Sequence, residues 1–155
     1  MTDTVTSYKI RIAHPSDAEL IASLHEKCFR KPWTEKSFTE LLSYKRNFCW
    51  IIASNPLVGF IIVRIIEKEA EILSLAVDQQ YRRYGRAHKL IEHAFNEIQK
   101  LHVNICYLEV DQNNTAANQL YEKIGFSQIG LRKKYYNYSN NYSKHAKIMS
   151  YNWEN

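Results

Sequence analysis

A short basic segment joins an apolar, strand-like run to an amphipathic helix. The segment is Arg82-Arg83-Tyr84-Gly85-Arg86-Ala87, and the run before it ends at Asp78. Such a turn presents free backbone N–H groups, the positive end of a helix dipole and three arginines, which together suit a pyrophosphate. A glycine that opens a basic surface helix also occurs as a plain turn, so the segment by itself leaves that alternative open.

A carboxylate and a phenol follow in the next two elements of the chain. Glu109 lies in an apolar run, and Tyr121 lies on a helical pattern that follows Asn114. A carboxylate can take a proton from an amine, and a phenol can give one to a departing thiolate. Taken singly, Glu109 could pair with a surface lysine, Tyr121 could be a core aromatic, and Asn114 could be a helix cap. Their order after the basic turn favours a site.

The spacing of apolar residues predicts the order β-α-α-β-β-β-α-β-α-β-β. Strands are expected at residues 8–13, 48–53, 57–66, 70–77, 105–110, 126–131 and 146–153. Helices are expected from residue 16, from residue 34, and at 87–101 and 115–124. Ser16 and Thr34 are predicted N-caps, and Gly125 is predicted to end the last helix. The tract 135–144 reads as an exposed connection.

Two motifs in this order resemble the GCN5-related N-acetyltransferase (GNAT) family. The spacing Arg82-x-x-Gly85-x-Ala87 matches its Q/R-x-x-G-x-G/A signature, with a strand before it and a helix after it. The segments 108–110, 114 and 117–126 are similar to the L-E-V…N-x-x-A-x-x-L-Y-x-x-x-G-F block of its ribosomal-protein-alanine (RimI-type) branch. Asn118 and Gln119 are more polar than usual in that block. The resemblance covers nearly the whole chain.

The resemblance implies a fold and a reaction. The fold is α/β (α+β): one domain over residues 1–155, with a mixed, mostly antiparallel six- to seven-stranded sheet and helices on both faces. The cosubstrate is acetyl-CoA, used without a metal or a covalent enzyme intermediate. The acceptor is a protein N-terminal α-amino group, in particular the N-terminal alanine of a small-subunit ribosomal protein. A lysine side chain, a polyamine or an antibiotic amine is the alternative acceptor.

The resemblance also assigns roles to residues. Glu109 becomes the general base and Tyr121 the general acid, twelve residues apart as in the family. Leu75, Ala76 and Val77 offer backbone groups to the pantetheine arm and the acetyl carbonyl. The remaining cofactor contacts fall on Asn114, near the pantetheine, on Tyr121, near the sulfur, and on Arg82, Arg83, Tyr84, Gly85, Arg86, Ala87 and His88, around the pyrophosphate. The acceptor side takes Trp33, from a P-W-[ST]-x-x-x-F segment, and Tyr135 and Tyr136, from an R-x-x-Y-Y run.

Composition and motifs bear on two other classes of protein, nucleic-acid-binding modules and non-catalytic acyl-CoA-binding folds. The net charge is +5, from 21 Lys and Arg against 16 Asp and Glu. This charge fits a polyanionic cofactor, and it also allows a nucleic-acid module that uses Arg82, Arg83, Arg86 and residues 132–134. No RNP-type aromatic motif supports that module, so no direct nucleic-acid contact is expected. An acyl-CoA-binding fold without catalysis is the other alternative, against which Glu109 and Tyr121 weigh.

Cellular context follows from three further observations. The three cysteines are widely spaced and form no C-x-x-C pair, which favours reduced thiols. The first residues lack a basic segment followed by an apolar one, and no apolar run approaches the length of a membrane span. His88 and His93 share a helix without a third ligand, so no metal site is predicted. We expect a cytoplasmic monomer or weak dimer that is not bound to a membrane.

Overall fold

A seven-stranded sheet in the order β1-β2-β3-β4-β5-β7-β6 organises the computed structural model, which describes residues 8–134 and 144–153. The strands are β1 (Ile10–Ile12), β2 (Asn47–Ile52), β3 (Gly59–Ile66), β4 (Glu69–Val77), β5 (Ile105–Asp111), β6 (Ser127–Lys134) and β7 (Lys144–Asn152). The helices are α1 (Ala18–Cys28), α2 (Glu35–Ser43), α3 (Arg86–Gln99) and α4 (Thr115–Ile124). Five of the six neighbouring strand pairs are antiparallel and β4–β5 is parallel, which confirms the expected mixed sheet.

Helices cover both faces of this sheet, as the sequence predicts. Side chains alternate between the faces along a strand, so β3 places Ile61 on one side and Phe60 on the other. The first side packs with Leu90 and other apolar residues of α3, and with Tyr121 of α4. The second side packs with α1 and α2, where Phe38 is fully buried. The two buried clusters therefore lie on opposite sides of the sheet.

A gap opens in the sheet where β4 and β5 diverge. Their parallel pairing begins at Glu69–Ile105 and ends at Glu71–Tyr107, so the rest of both strands is not paired across this edge. Next to that point, the register of β4 against β3 passes from Ile72 to Ser74 and leaves Leu73 as an extra residue. A bulge of this kind bends its strand and increases the local twist. The bulge accounts for the divergence of β4 from β5.

Of the two N-caps predicted for α1 and α2, the one at α2 is confirmed and the one at α1 is wrong. Thr34 caps α2 by accepting from the Ser37 N–H at 3.1 Å, as predicted. Ser16 is not an N-cap, because it lies inside a 3₁₀ turn, Pro15–Asp17, that precedes α1. The residue before α1 is Asp17, whose side chain makes no capping hydrogen bond to the helix and accepts instead from the His14 N–H and from Arg11. The carboxylate therefore ties the 3₁₀ turn to β1.

The last helix begins and ends at the predicted residues. Asn114 caps α4 by accepting from the Ala117 N–H at 3.2 Å, and Gly125 follows its last residue with φ +121°. A left-handed glycine of this kind commonly ends a helix. None of the helices in the described part of the chain is long and apolar enough to cross a bilayer.

Candidate active site

The basic turn after β4 has the geometry of an anion site. Gly85 is the N-cap of α3 with φ +72°, and the first turn of α3 holds no acidic residue. Arg83, two residues earlier, has φ +74°. A Cβ built on Gly85 meets nothing within 4 Å, so the space above the turn is open. The N–H groups of a helix start bind phosphates well, so the turn has the form of the pyrophosphate site that the resemblance leads us to expect.

Two arginine side chains brace this turn. Arg82 donates from Nε to the Val77 carbonyl at 2.9 Å, which ties the turn to the end of β4. Arg86 donates from Nη1 to the Tyr81 carbonyl at 3.1 Å. Its guanidinium lies over the rings of Tyr8, Tyr81 and Tyr84, at 5.1, 5.5 and 5.0 Å from their centroids. We therefore expect the backbone of this turn, more than these two side chains, to face the cofactor.

The end of β4 presents main-chain groups to the gap. The Asp78 N–H donates to the carbonyl of Val58, the residue before β3, at 2.8 Å. Because main-chain groups of an antiparallel strand point to alternate sides, those of Ala76 face β3. Those of Leu75 and Val77, the other two of the three residues expected here, face the gap. Because the Val77 carbonyl already accepts from Arg82, we expect Val77 to pair with an extended pantetheine arm through its N–H.

Glu109 and Tyr121 lie on opposite sides of the sheet beside this gap. Leu108 and Val110 share the buried cluster of Tyr121, so Glu109 between them points to the other face. Its Oε1 accepts from Arg132 Nη1 at 3.0 Å. The Glu109 side chain is 31% exposed and that of Arg132 is 63% exposed. The carboxylate is therefore accessible from the face that carries α1 and α2.

Tyr121 is a buried phenol. Its residue is 8% exposed, and its ring meets Phe126 edge-on at 5.6 Å. Burial raises the pKa of Tyr121 to about 12, so the hydroxyl keeps its proton throughout the neutral range. Cys106, in the same cluster, has its thiol pKa raised to about 12 by the same cause. The surroundings of Tyr121 thus disfavour thiolates as well as phenolates.

The turn between β5 and α4 is held by an asparagine that the sequence analysis left outside the site. Asn118 is buried, and its Nδ2 donates to the carbonyls of Asp111 at 3.1 Å and Asn114 at 2.8 Å. Its Oδ1 has no hydrogen-bond partner among the described residues. The amide fixes the turn that bears Asn114, so the polar departure at this position has a structural role.

Of the three residues expected on the acceptor side, Trp33 is the one that the structure describes. Trp33 lies in the segment between α1 and α2, on the sheet face that Glu109 faces, and is 38% exposed. The main-chain N–H of Trp33 donates to Nδ1 of the buried His25 at 3.1 Å. Tyr135 and Tyr136 lie outside the described residues. His88 lies in the first turn of α3, and its Nδ1 is 3.7 Å from Oε2 of Glu92.

The sequence did not predict three features of this site: the Glu109–Arg132 ion pair, the hydrogen bonds by which Asn118 holds the turn before α4, and the burial of His25. The Glu109–Arg132 pair and the surroundings of His25 depend on contacts between elements that are distant in the sequence, whereas the bonds of Asn118 reach only the neighbouring turn. Arg132 was noted as part of a basic run, but β7 lies between β5 and β6 and sets its distance from Glu109. Among residues 8–134 and 144–153, no three His, Cys, Asp or Glu side chains form a group that could hold a metal ion.

Comparison with known proteins identifies the family. The model of the acetyltransferase (GNAT) family matches residues 18–126, which is more than half of the chain. The [ribosomal protein bS18]-alanine N-acetyltransferase of Escherichia coli K12 is 32% identical over 120 residues, covering 76% of this chain and 81% of that protein.

Solved structures give the same result. The crystal structure of the ribosomal-protein-S18-alanine N-acetyltransferase from Escherichia coli superposes with a TM-score of 0.83 at 29% identity, covering 92% of this chain and 91% of that one. Arabidopsis thaliana NAA60 in complex with acetyl-CoA shares the fold, with a TM-score of 0.81 at 21% identity over 93% of this chain and 97% of that one. The chain belongs to the GNAT family, as an acetyl-CoA-dependent N-acetyltransferase.

Proposed function

We propose that this enzyme acetylates the α-amino group at the N-terminus of a protein, in the cytoplasm and as a single domain. The first acceptor to consider is the N-terminal alanine of a ribosomal protein, because that is the substrate for which its relatives are named. The observation that carries the proposal is that Glu109 and Tyr121 point to opposite faces of the sheet, with Glu109 on the part of β5 that does not pair with β4. That placement suits an acceptor that enters from one face while the thioester lies in the gap.

The main chain binds and orients the cosubstrate, whose contribution is an acetyl thioester. The N–H groups that follow Gly85 take the pyrophosphate, and the main-chain groups of Leu75 and Val77 pair with the arm. Orientation of this kind removes much of the entropy cost of bringing two reactants together. The residues of this step act through backbone atoms, so their side chains tolerate more change than the backbone conformation does.

Glu109 accepts a proton from the acceptor. An α-ammonium group has a pKa of about 8, so most acceptors arrive protonated at neutral pH and cannot attack. The carboxylate takes that proton directly or through one water. The Glu109–Arg132 ion pair is exposed, and such a pair contributes at most about 1 kcal/mol. An incoming ammonium group can therefore displace the guanidinium from Oε1.

Tyr121 donates a proton to the departing sulfur. A free thiol has a pKa of about 8.5, well below that of the buried phenol. Burial disfavours a thiolate for the same reason that it disfavours a phenolate, since both are charged. The buried surroundings of Tyr121 therefore favour a neutral thiol, and the phenol, which keeps its proton throughout the neutral range, supplies that proton.

The test is acetylation of defined peptides, followed by CoA release and by mass spectrometry of the product. Short peptides beginning with Ala, Ser or Met are compared with an N-terminally acetylated peptide that contains lysine, and with a polyamine. Acetyl found on the α-amino group of the Ala peptide supports the proposal. Acetyl found only on the lysine or the polyamine overturns the acceptor assignment in favour of the side-chain or small-amine alternative.

A further inference from the structure

A buried histidine lies beneath the segment that joins α1 to α2. His25 is 3% exposed, and its ring is sandwiched between those of Phe29 and Trp33. The centroid distances are 4.1 and 5.1 Å, and the interplanar angles are 19° and 21°. Phe38 of α2 meets the same ring edge-on at 5.2 Å, and Phe60 of β3 lies 6.2 Å away. This stack attaches the joining segment to both α2 and the sheet.

The same residue is hydrogen-bonded to both ends of the segment. The main-chain carbonyl of His25 accepts from the Phe29 N–H at 2.9 Å, and Nδ1 accepts from the Trp33 N–H at 3.1 Å. An imidazole that accepts at Nδ1 is neutral and carries its proton on Nε2. Burial lowers the pKa of His25 to about 4, so this neutral form prevails at physiological pH.

The two rings that enclose His25 reach the surface. Phe29 is 39% exposed and Trp33 is 38% exposed. Aromatic rings offer a large contact area with few rotatable bonds, so their energetic value in binding depends on being held in place. Here the Nδ1 bond fixes the backbone of Trp33, and Thr34, the next residue, caps α2. The orientation of this aromatic surface therefore follows from His25.

We propose that His25 is a positioning residue that holds the Phe29–Trp33 segment so that its exposed aromatic surface receives the acceptor peptide. The inference rests on the proposed function, which puts Trp33 on the acceptor side. His25 does not touch the acceptor. It acts through the main chain of Trp33. A substitution at His25 therefore changes the affinity for the acceptor and leaves the affinity for the cofactor unchanged.

Two substitutions separate the hydrogen bond from the ring. His25→Phe keeps an aromatic ring in the stack but leaves the Trp33 N–H without its acceptor. His25→Asn loses the ring but places Oδ1 close to the position of Nδ1. We expect His25→Phe to raise the acceptor KM about tenfold, the size of one hydrogen bond that is left unmade. The kcat and the KM for acetyl-CoA stay within about twofold, and His25→Asn recovers part of the acceptor KM.

A second histidine and a second observable serve as controls. His93→Phe changes a histidine of α3 that contacts Trp50 on the opposite face of the sheet, and should leave the acceptor KM unchanged. Amide hydrogen exchange at Trp33 reports directly on the proposed bond. The exchange should be slow in wild type, faster in His25→Phe and intermediate in His25→Asn.

The outcomes decide two questions separately. A His25→Phe variant with fast Trp33 exchange and a wild-type acceptor KM overturns the positioning role. An equal loss of kcat and of both substrate affinities overturns it too, because that pattern reports a general loss of structure. If wild type uses a lysine or a small amine and no peptide N-terminus, the proposed function fails, and the KM for that other acceptor still decides the role of His25.

Discussion

Glu109 and Tyr121 lie on opposite faces of one sheet, beside the gap where β4 and β5 stop pairing. Glu109 is partly exposed and paired with Arg132, whereas Tyr121 is buried. Proton acceptance needs a carboxylate that water and the acceptor can reach, and proton donation to sulfur needs a phenol shielded from water. The environments of the two side chains therefore suit the two halves of the proposed reaction.

Replacing Tyr121 with phenylalanine tests the acid. The ring and its contact with Phe126 are retained, so we expect the fold and the affinity for acetyl-CoA to change little. Turnover should fall by about 10²-fold or more, because the lost proton transfer develops only in the transition state. Steady-state kinetics with both substrates varied measures this. Turnover equal to wild type would return Tyr121 to a purely structural role in the core.

Replacing Glu109 with glutamine tests the base. The amide keeps the shape of the side chain but cannot take a proton, so turnover should fall. The loss should be largest near pH 6, where the α-amino group is almost fully protonated, and smallest near pH 9. Isothermal calorimetry should show unchanged binding of acetyl-CoA. Identical pH profiles of variant and wild type between about pH 6 and 9 would mean that another group serves as the base.

Replacing Gly85 with alanine tests the phosphate turn. The left-handed φ of +72° disfavours alanine, so the free energy of unfolding should fall by about 1 kcal/mol. The new methyl group enters the open space above the turn, and acetyl-CoA affinity should fall at least about tenfold. Gly130→Ala is the matched control. The new Cβ at residue 130 lies 3.5 Å from the Ile148 side chain, an ordinary van der Waals contact, so the affinity for acetyl-CoA should be unchanged. Equal affinities in the two variants would remove the assignment of the turn.

Replacing Arg86 with lysine tests the tyrosine cage, which is formed by the rings of Tyr8, Tyr81 and Tyr84 around the Arg86 guanidinium. A lysine keeps the charge but loses the planar guanidinium that lies over three rings and donates to Tyr81. Arginine and lysine are not equivalent where stacking is involved. We expect a loss of about 1 kcal/mol in stability and weaker binding of acetyl-CoA, with kcat nearly unchanged. Denaturant unfolding and calorimetry measure these effects, and unchanged values in both would show that the cage does not shape the turn.

Local patterns were sufficient to place most of the fold. The helical spacing and the asparagine and glycine at its ends predicted α4 at the residues where it lies. At α1 the local signal was misleading, because Ser16 lies inside a 3₁₀ turn and the helix begins after Asp17, whose carboxylate is bound by Arg11 on β1. A serine after a proline carries no information about such a contact. The boundary was therefore decided by tertiary structure.

The chemistry of the site was less accessible to pattern reading. The gap between β4 and β5 arises from a bulge at Leu73, and the alternation of side chains does not reveal a bulge. The Glu109–Arg132 pair depends on the position of β7 between two other strands. His25 has the spacing of an ordinary helical residue, and its role follows from aromatic rings on three other elements. Such features follow from the assembled fold.

His25 also makes a prediction about stability and pH. Its pKa is about 4 in the folded protein against an ordinary 6.5 in the unfolded chain. Between these values the unfolded chain binds more protons, so the stability that neutral His25 provides is complete above about pH 6.5 and is lost as the pH falls toward 4. His25→Asn has no such titration. The stability difference between wild type and this variant should therefore shift in favour of the variant across that range.

Urea unfolding at about pH 7, 6, 5 and 4.5 measures this shift. Asp17, whose pKa is lowered mainly by its hydrogen bond to Arg11, also destabilises the fold in acid. That effect sits near and below the ordinary value of 3.8 and is common to both proteins, so it cancels in the difference. A difference that stays constant over the whole range would show that His25 takes up its proton in the folded state as readily as in the unfolded one. The buried stack with Phe29 and Trp33 would then have to open on protonation at little cost.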